Sequence, residues 1–224
     1  MLKVRRFSVY ILGLVILAFG IAFSIRSGLG VSPVSSIPYS LSKISGLSVG
    51  TATTAFYTLC VLVQLIILKR DFKIRHLLQV FFAYAFGLFS DMSLFLTRFI
   101  TTDVYLLRLL LLIISLFLIG LGVYMVVLTD VVMNAPDGLV KTISDHWNIQ
   151  FSRVKTAFDI FCVSTSIILS LVFLGRVEGL REGTVIAALS IGTIIGFIAK
   201  RFKQQITALF IDSSSQEAES QPLP

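Results

Sequence analysis

Three stretches of this chain, residues 7–25, 44–68 and 109–129, are mostly apolar and contain no charged side chain. Crossing the roughly 30 Å hydrocarbon core of a bilayer takes about 20 such residues in a helix. Lipid offers the backbone no hydrogen-bond partners, so a span must satisfy its own polar groups, as a helix does. Three further spans carry isolated charges: 77–97 contains Asp91, 154–174 contains Lys155 and Asp159, and 183–199 lies between Glu182 and Lys200. The sequence therefore predicts an all-α polytopic membrane protein with six transmembrane helices. Its 14% of charged residues and mean hydropathy of +0.93 are far from a soluble domain, where about a quarter of residues are charged.

The net charge of +7 does not point to nucleic acid, because the basic residues sit in the loops. With the N-terminus inside, Lys3, Arg5, Arg6, Lys69, Arg70, Lys73, Arg75, Lys141, Arg153, Lys155, Lys200, Arg201 and Lys203 are cytoplasmic. Only Arg26, Lys43, Arg98, Arg108, Arg176 and Arg181 fall outside, so the 19 basic residues divide as 13 + 6 = 19. The bias fits the positive-inside rule for a six-span protein with both termini in the cytoplasm. The first apolar run, at 19 residues (7–25), exceeds a usual signal-peptide core and reads as a span. Cys60 and Cys162 fall within spans and read as small buried hydrophobes.

The chain also repeats itself. Thr54-Ala55-Phe56 and Cys60 recur 102 residues on as Thr156-Ala157-Phe158 and Cys162, Pro33 recurs as Pro136, and Ala83 and Gly87 match Ala188 and Gly192. Each unit holds three spans, an odd number, so the second copy is expected upside down. Two inverted three-helix repeats are an architecture common among secondary transporters. The reading is one membrane domain over 1–211, with repeat one at about 7–98 and repeat two at about 106–202, followed by a disordered cytoplasmic tail at 212–224.

A Pro-gated amphipathic segment follows the first span of each unit. Gly28 and Gly30 break the first helix, Ser32 offers an N-cap, and Pro33 suits the first helical position, where its missing N–H is not needed. Val34, Ile37, Leu41 and Ile44 then share a face, with Pro38 expected to bend the helix. In the second unit Asn134-Ala135-Pro136-Asp137 precedes Leu139, Val140, Ile143 and Trp147 on one face. Two readings stay open for both segments. Each lies in the interface with Ser35, Ser36, Ser40 and Ser42 toward water, or each re-enters the membrane and aims its N-terminus at a central cavity. The second makes Gly28, Gly30, Ser32, Pro33, Asn134, Pro136 and Asp137 candidate pathway residues.

Ionisable groups within spans mark pathways or partners. Asp91 and Asp159 are candidate proton or cation sites, with Lys155 four residues before Asp159 as its i, i+4 partner. Small residues four apart mark close helix contacts, which gives Ala83 and Gly87 in span three and Ala188, Gly192 and Gly196 in span six as packing ridges. Neither His76 nor His146 has a metal-ligand spacing. No Walker loop or nucleophile elbow occurs. No enzyme, cofactor or metal is expected.

The run Gly20-Ile21-Ala22-Phe23-Ser24-Ile25-Arg26-Ser27-Gly28-Leu29-Gly30-Val31-Ser32-Pro33, followed by Gly46-Leu47-Ser48-Val49-Gly50-Thr51, resembles the YczE/YitT-like group of uncharacterised bacterial integral membrane proteins. The resemblance implies a bacterial inner-membrane location. Some relatives carry Gly-Pro-Arg-Asp after the fourth span, where this chain has Asn134-Ala135-Pro136-Asp137-Gly138, so a role for that arginine does not carry over. The expected function is a small secondary transporter or permease for an unidentified small molecule or ion. The alternative is a non-transporting accessory or scaffold acting through a partner. Beyond the lipid bilayer, a homodimer or a partner subunit fits either reading.

Overall fold

The computed structural model describes residues 2–72 and 74–210, and the regular elements among them are all helical. In chain order they are α1 (Leu2–Ser27), α2 (Pro33–Ser45), α3 (Val49–Leu68), α4 (Ile74–Leu96), α5 (Tyr105–Thr129), α6 (Ala135–Trp147), α7 (Phe151–Leu174) and α8 (Glu182–Phe210). A 3-10 turn at Lys69–Asp71 extends α3. Six of these helices are long and apolar enough to cross a membrane, over Val4–Ser27, Val49–Asp71, His76–Leu96, Tyr105–Thr129, Phe151–Leu174 and Glu182–Arg201. The other two, α2 and α6, have 13 residues each. At about 1.5 Å per residue they are too short to cross. The tail expected to be disordered, 212–224, lies outside the described residues.

Local chemistry sets the helix ends. The second span starts at Val49 rather than 44, because Gly46 adopts a left-handed conformation (φ 73°) and donates back to the Ser42 carbonyl at 3.0 Å, ending α2. Ser48 then caps α3, its hydroxyl accepting from the Thr51 N–H. The absence of charge across 44–48 hides that boundary. Pro38 does not break α2. Its ring is fully buried and the helix continues to Ser45, so packing outweighs the lost backbone bond.

The centre is the α1–α5 pair. A Cβ on Gly122 would lie 2.7 Å from the Leu17 nitrogen and 2.8 Å from the Gly13 carbonyl, and one on Gly20 would lie 2.8 Å from the Ile119 nitrogen. The two backbones therefore touch, the packing mode expected where helix association gains nothing from expelling water. Tyr10, Leu14, Ala18 and Ile21 of α1 meet Ile119 and Val126 of α5 in the core, and Phe82, Ala83 and Phe86 of α4 close the other side. Helix α4 lies along α1 and α3, and α8 along α5; α2 packs on α3 and α7, and α6 on α3 and α7.

The two small-residue ridges differ. Gly87 of α4 sits against α3, where a Cβ would lie 2.6 Å from the Gly50 carbonyl oxygen, and Ala83 is buried beside it. On α8 the ridge faces outward: Ala188, Gly192 and Gly196 are exposed, and nothing lies within 4 Å of a Cβ at either glycine. Spacing reports that a face is smooth, not that a neighbour covers it. Gly87→Ala should therefore cost about 1–3 kcal/mol through overpacking. Gly192→Ala should leave stability unchanged or raise it, since alanine is the better helix former by about 1 kcal/mol. Thermal unfolding of the two purified variants checks the contrast, and equal losses would contradict it.

Candidate functional site

Helix α2 is fastened to α7 by hydroxyl groups. Ser40, with no exposed surface, lies 2.7 Å from the Ser166 hydroxyl and 3.1 Å from that of Ser170. Ser36 donates to the carbonyls of Pro33 (2.6 Å) and Cys162 (3.2 Å), and Ser166 donates to the Ser36 carbonyl at 3.2 Å. An unpaired hydroxyl in an apolar interior is costly, so this ladder fixes the register of the two helices. It also fixes position. Ser36 meets Cys162, half-way along α7, and Ser40 meets residues nearer the α7 C-terminus, so α2 runs parallel to α7 from its middle outward. The interface reading, one of the two left open, put Ser36 and Ser40 toward water and is corrected there: both are buried, while Ser35 and Ser42 are half-buried. Serine at helical spacing marks a polar face, and here that face has a polar partner.

The segments leading into α2 and α6 are held individually. Gly28 (φ 65°) ends α1, and Gly30 (φ 122°) lets the chain pass Thr184, whose nitrogen would lie 2.9 Å from a Cβ there. Ser24 donates to the Gly30 carbonyl at 2.8 Å, Val31 donates to the Gly179 carbonyl at 2.9 Å, and Gly183 donates to the Leu29 carbonyl at 2.8 Å. Ser32 makes no side-chain cap and donates instead to the Ser35 hydroxyl. Asn134 likewise precedes α6 without a side-chain cap. From outside the segment, the Gln64 amide of α3 donates to the Ala135 carbonyl (3.1 Å) and to the Gln79 side-chain carbonyl of α4 (2.9 Å).

One charged cluster lies within the bundle. Lys155 of α7 sits 3.1 Å from Asp137 in the first turn of α6 and 3.2 Å from Asp159 one turn further along α7. The i, i+4 pair read from the sequence is present, and Asp137 joins it as a third member. All three side chains are a quarter to a third exposed. Two carboxylates against one ammonium leave a formal charge of −1. Asp137 is within electrostatic reach of Tyr57 and Cys60 of α3, and Cys162 is within reach of Lys155 and Asp159. Both cysteines are buried and unpaired.

Asp91 lies elsewhere and does a different job. Its carboxylate reaches from α4 to the start of α3, accepting from the Ser48 hydroxyl at 2.6 Å and the Gly50 N–H at 2.7 Å. An anion at a helix N-terminus meets free N–H groups and the positive end of the dipole. The carboxylate thus clamps two spans. The candidates divide into three places: Pro33, Pro136, Asp137 and Asp159 near the middle of the bundle, Asp91 at the α3 N-terminus, and Gly28 and Gly30 in the wall of a cavity of about 230 Å³ with Tyr39 and Arg181. A larger cavity of about 510 Å³ opens at the other end of the bundle, bordered by Gln64, Gln79 and Gly138. Sequence reading did not single out Gln64, Gln79, Ser166 or Ser170. Their signal was present in kind, as amide and hydroxyl side chains within otherwise apolar spans.

This arrangement defines a multi-pass helical membrane protein with a partly exposed charged cluster between α6 and α7. The chain belongs to a family of unknown function, DUF6198, whose model matches residues 4–200. No curated protein and no solved structure matches it.

Removing Lys155 leaves two carboxylates facing each other without a cation. Lys155→Met should destabilise the protein by about 2–4 kcal/mol, somewhat below a fully buried pair because the site is partly exposed. Adding Asp137→Asn and Asp159→Asn should recover much of the loss. Unfolding midpoints of the single and triple variants decide this, and a triple variant less stable than Lys155→Met would sink the account.

Proposed function

We propose that the protein is a small secondary transporter or permease, with its pathway where the N-termini of α2 and α6 approach the charged cluster. The observation that carries this reading is Lys155 between Asp137 and Asp159. A cluster one negative charge in excess, placed where α6 meets two spans, has a built-in demand for a proton or a monovalent cation, and groups of this kind inside membrane helices mark ion paths. Coupling is assigned to Asp159 and Asp137. Asp91 is left out of it, because its carboxylate is already engaged by Ser48 and Gly50.

The helix contacts support two inverted repeats with re-entrant α2 and α6. Exchanging α1 with α5, α2 with α6, α3 with α7 and α4 with α8 turns the α2–α7 contact into α6–α3, and α1–α4 into α5–α8. The exchange is incomplete, since the long α3–α4 contact has no α7–α8 counterpart of comparable extent among the described residues. Helices that start half-way along their neighbours put free N–H groups at mid-bundle, a recurrent feature of transporter sites. The thirteen-to-six division of basic residues supports cytoplasmic termini, and the likeness of Gly20 to Thr51 to YczE/YitT-like proteins supports a bacterial inner membrane. The exposed Ala188, Gly192 and Gly196 face of α8 favours the second reading, an accessory protein that packs on a partner helix.

Purified protein in liposomes, screened for uptake of amines, amino acids and organic anions with and without a pH gradient, tests the proposal. Uptake that a pH gradient drives and Asp159→Asn reduces at least tenfold is expected. Flux indifferent to Asp159→Asn and Asp137→Asn would remove the coupling assignment, and no flux of any class would leave the accessory reading. The topology is checked by single cysteines replacing the exposed Ser45 and Asp145, in a background where Cys60 and Cys162 are alanine. The first should label from outside only and the second from inside only; labelling of both from one side contradicts the inverted arrangement.

A further inference from the structure

The cavity of about 230 Å³ beside the first break carries charges of both signs. Its wall is made by Ile25 and Val31 on either side of the break, Tyr39 of α2, and Val177, Glu178 and Arg181 from the loop between α7 and α8. That loop is seated through its backbone. Val31 donates to the Gly179 carbonyl at 2.9 Å, and a Cβ at Gly179 would collide with the Tyr39 ring. Glycine at 179 therefore lets the loop close on α2, which sets Glu178 and Arg181 at the rim of the same small space.

Both charges are within reach of a ligand, the Arg181 side chain being 51% exposed and that of Glu178 21%. They do not pair with each other across the cavity. Glu178 binds Arg176 at 2.5 Å through Oε1, which leaves Oε2. Arg181 turns to its chain neighbour Glu182 at 3.3 and 3.4 Å and to the Gly28 carbonyl at 3.3 Å. A well-formed bond between a guanidinium and a carboxylate is about 2.7–2.9 Å long, so the Arg181 fork is only loosely engaged. Of the other charged groups nearby, Lys43 lies 5.4 Å above the Tyr39 ring, and Arg26 is bonded to the Leu94 carbonyl of α4 at 2.7 Å.

These features select the ligand. A simple anion would satisfy Arg181 and be set against Glu178, and a simple cation would meet the reverse. A zwitterion satisfies both and brings no net charge. The volume lies below the roughly 300–1,000 Å³ of sites for drug-sized ligands, and Ile25, Val31 and Val177 supply apolar wall. We infer that this cavity binds a small aliphatic α-amino acid. The Arg181 fork holds its carboxylate, a match of planar groups that lysine cannot reproduce, Glu178 holds its ammonium, and its side chain lies on the apolar wall. As a substrate class the inference rests on the transporter reading; as a binding event it does not.

The test is calorimetric titration of the purified full chain in detergent, without any gradient, using L-valine and its two fragments, isobutylamine (no carboxylate) and isovalerate (no amine). Saturable binding of valine is expected, with each fragment at least tenfold weaker. Arg181→Met should bring valine down to the affinity of isobutylamine, and Glu178→Gln down to that of isovalerate. A purely structural role for either residue would instead weaken all three probes alike. If Arg181→Met fails to fold, Arg181→Lys, which keeps the charge and loses the fork, should still weaken valine at least fivefold. No valine binding, a fragment that binds as tightly as valine, an equal loss of all three probes, or valine binding unchanged in the variants would each overturn the inference. Valine binding without liposome uptake would overturn only the transporter reading. Uptake of another class without valine binding would overturn only the inference.

Discussion

The structure depends on covering backbone that has left the helix. Twice the chain interrupts itself within the bundle, at 28–32 and 130–134, where Leu29, Val31 and Val132 are buried. Buried peptide groups without partners would cost several kcal/mol each in an apolar surrounding. The first break is tolerated because groups distant in sequence pair with it, Gly179 with Val31 and Gly183 with Leu29, and the Gln64 amide holds the first residue of α6 after the second. Once those bonds hold, α2 and α6 are obliged to start inside the bundle. Every candidate site residue near the middle follows from that obligation.

The sequence shows the scale of the fold better than its contacts. Six spans could be read because lipid imposes a length and an apolar composition on any crossing helix, and the observed spans agree with the apolar runs to within a few residues. The exception, 44 against 49, arose because Gly46 and Ser48 set a boundary that hydropathy does not register. Contact information failed in an instructive way. Ala83 with Gly87 and Ala188 with Gly192 carry the same pattern, yet one pair is pressed against α3 and the other is open. Likewise Ser36 and Ser40 had the periodicity of a wet face, and only the presence of Ser166 and Ser170 opposite turned it inward.

The ionisable residues show how environment sorts identical chemistry. Asp91 and Asp159 are both carboxylates set in apolar spans, the second with a lysine four residues before it. Asp91 faces a helix N-terminus, where N–H and O–H donors neutralise it structurally. Asp159 shares one ammonium with Asp137, which leaves the cluster a charge short of balance. The local signal for Asp159, a lysine four residues earlier, was legible. The contribution of α6 was not, because it depends on a helix that folds back among the spans.

The clasp between the first break and the last loop has a consequence for how the protein is made. Leu29 waits for Gly183, so 183 − 29 = 154 residues separate donor from acceptor, and the Ser36 and Ser40 hydroxyls wait for α7. At roughly 5–20 residues per second of synthesis, the first break spends on the order of 10–30 s without its partners. The early half of the chain is therefore inserted with open valences that only the last hairpin closes. A ribosome pausing between α5 and α7 would hold the nascent protein in that incomplete state, with α2 free to lie elsewhere until α7 arrives.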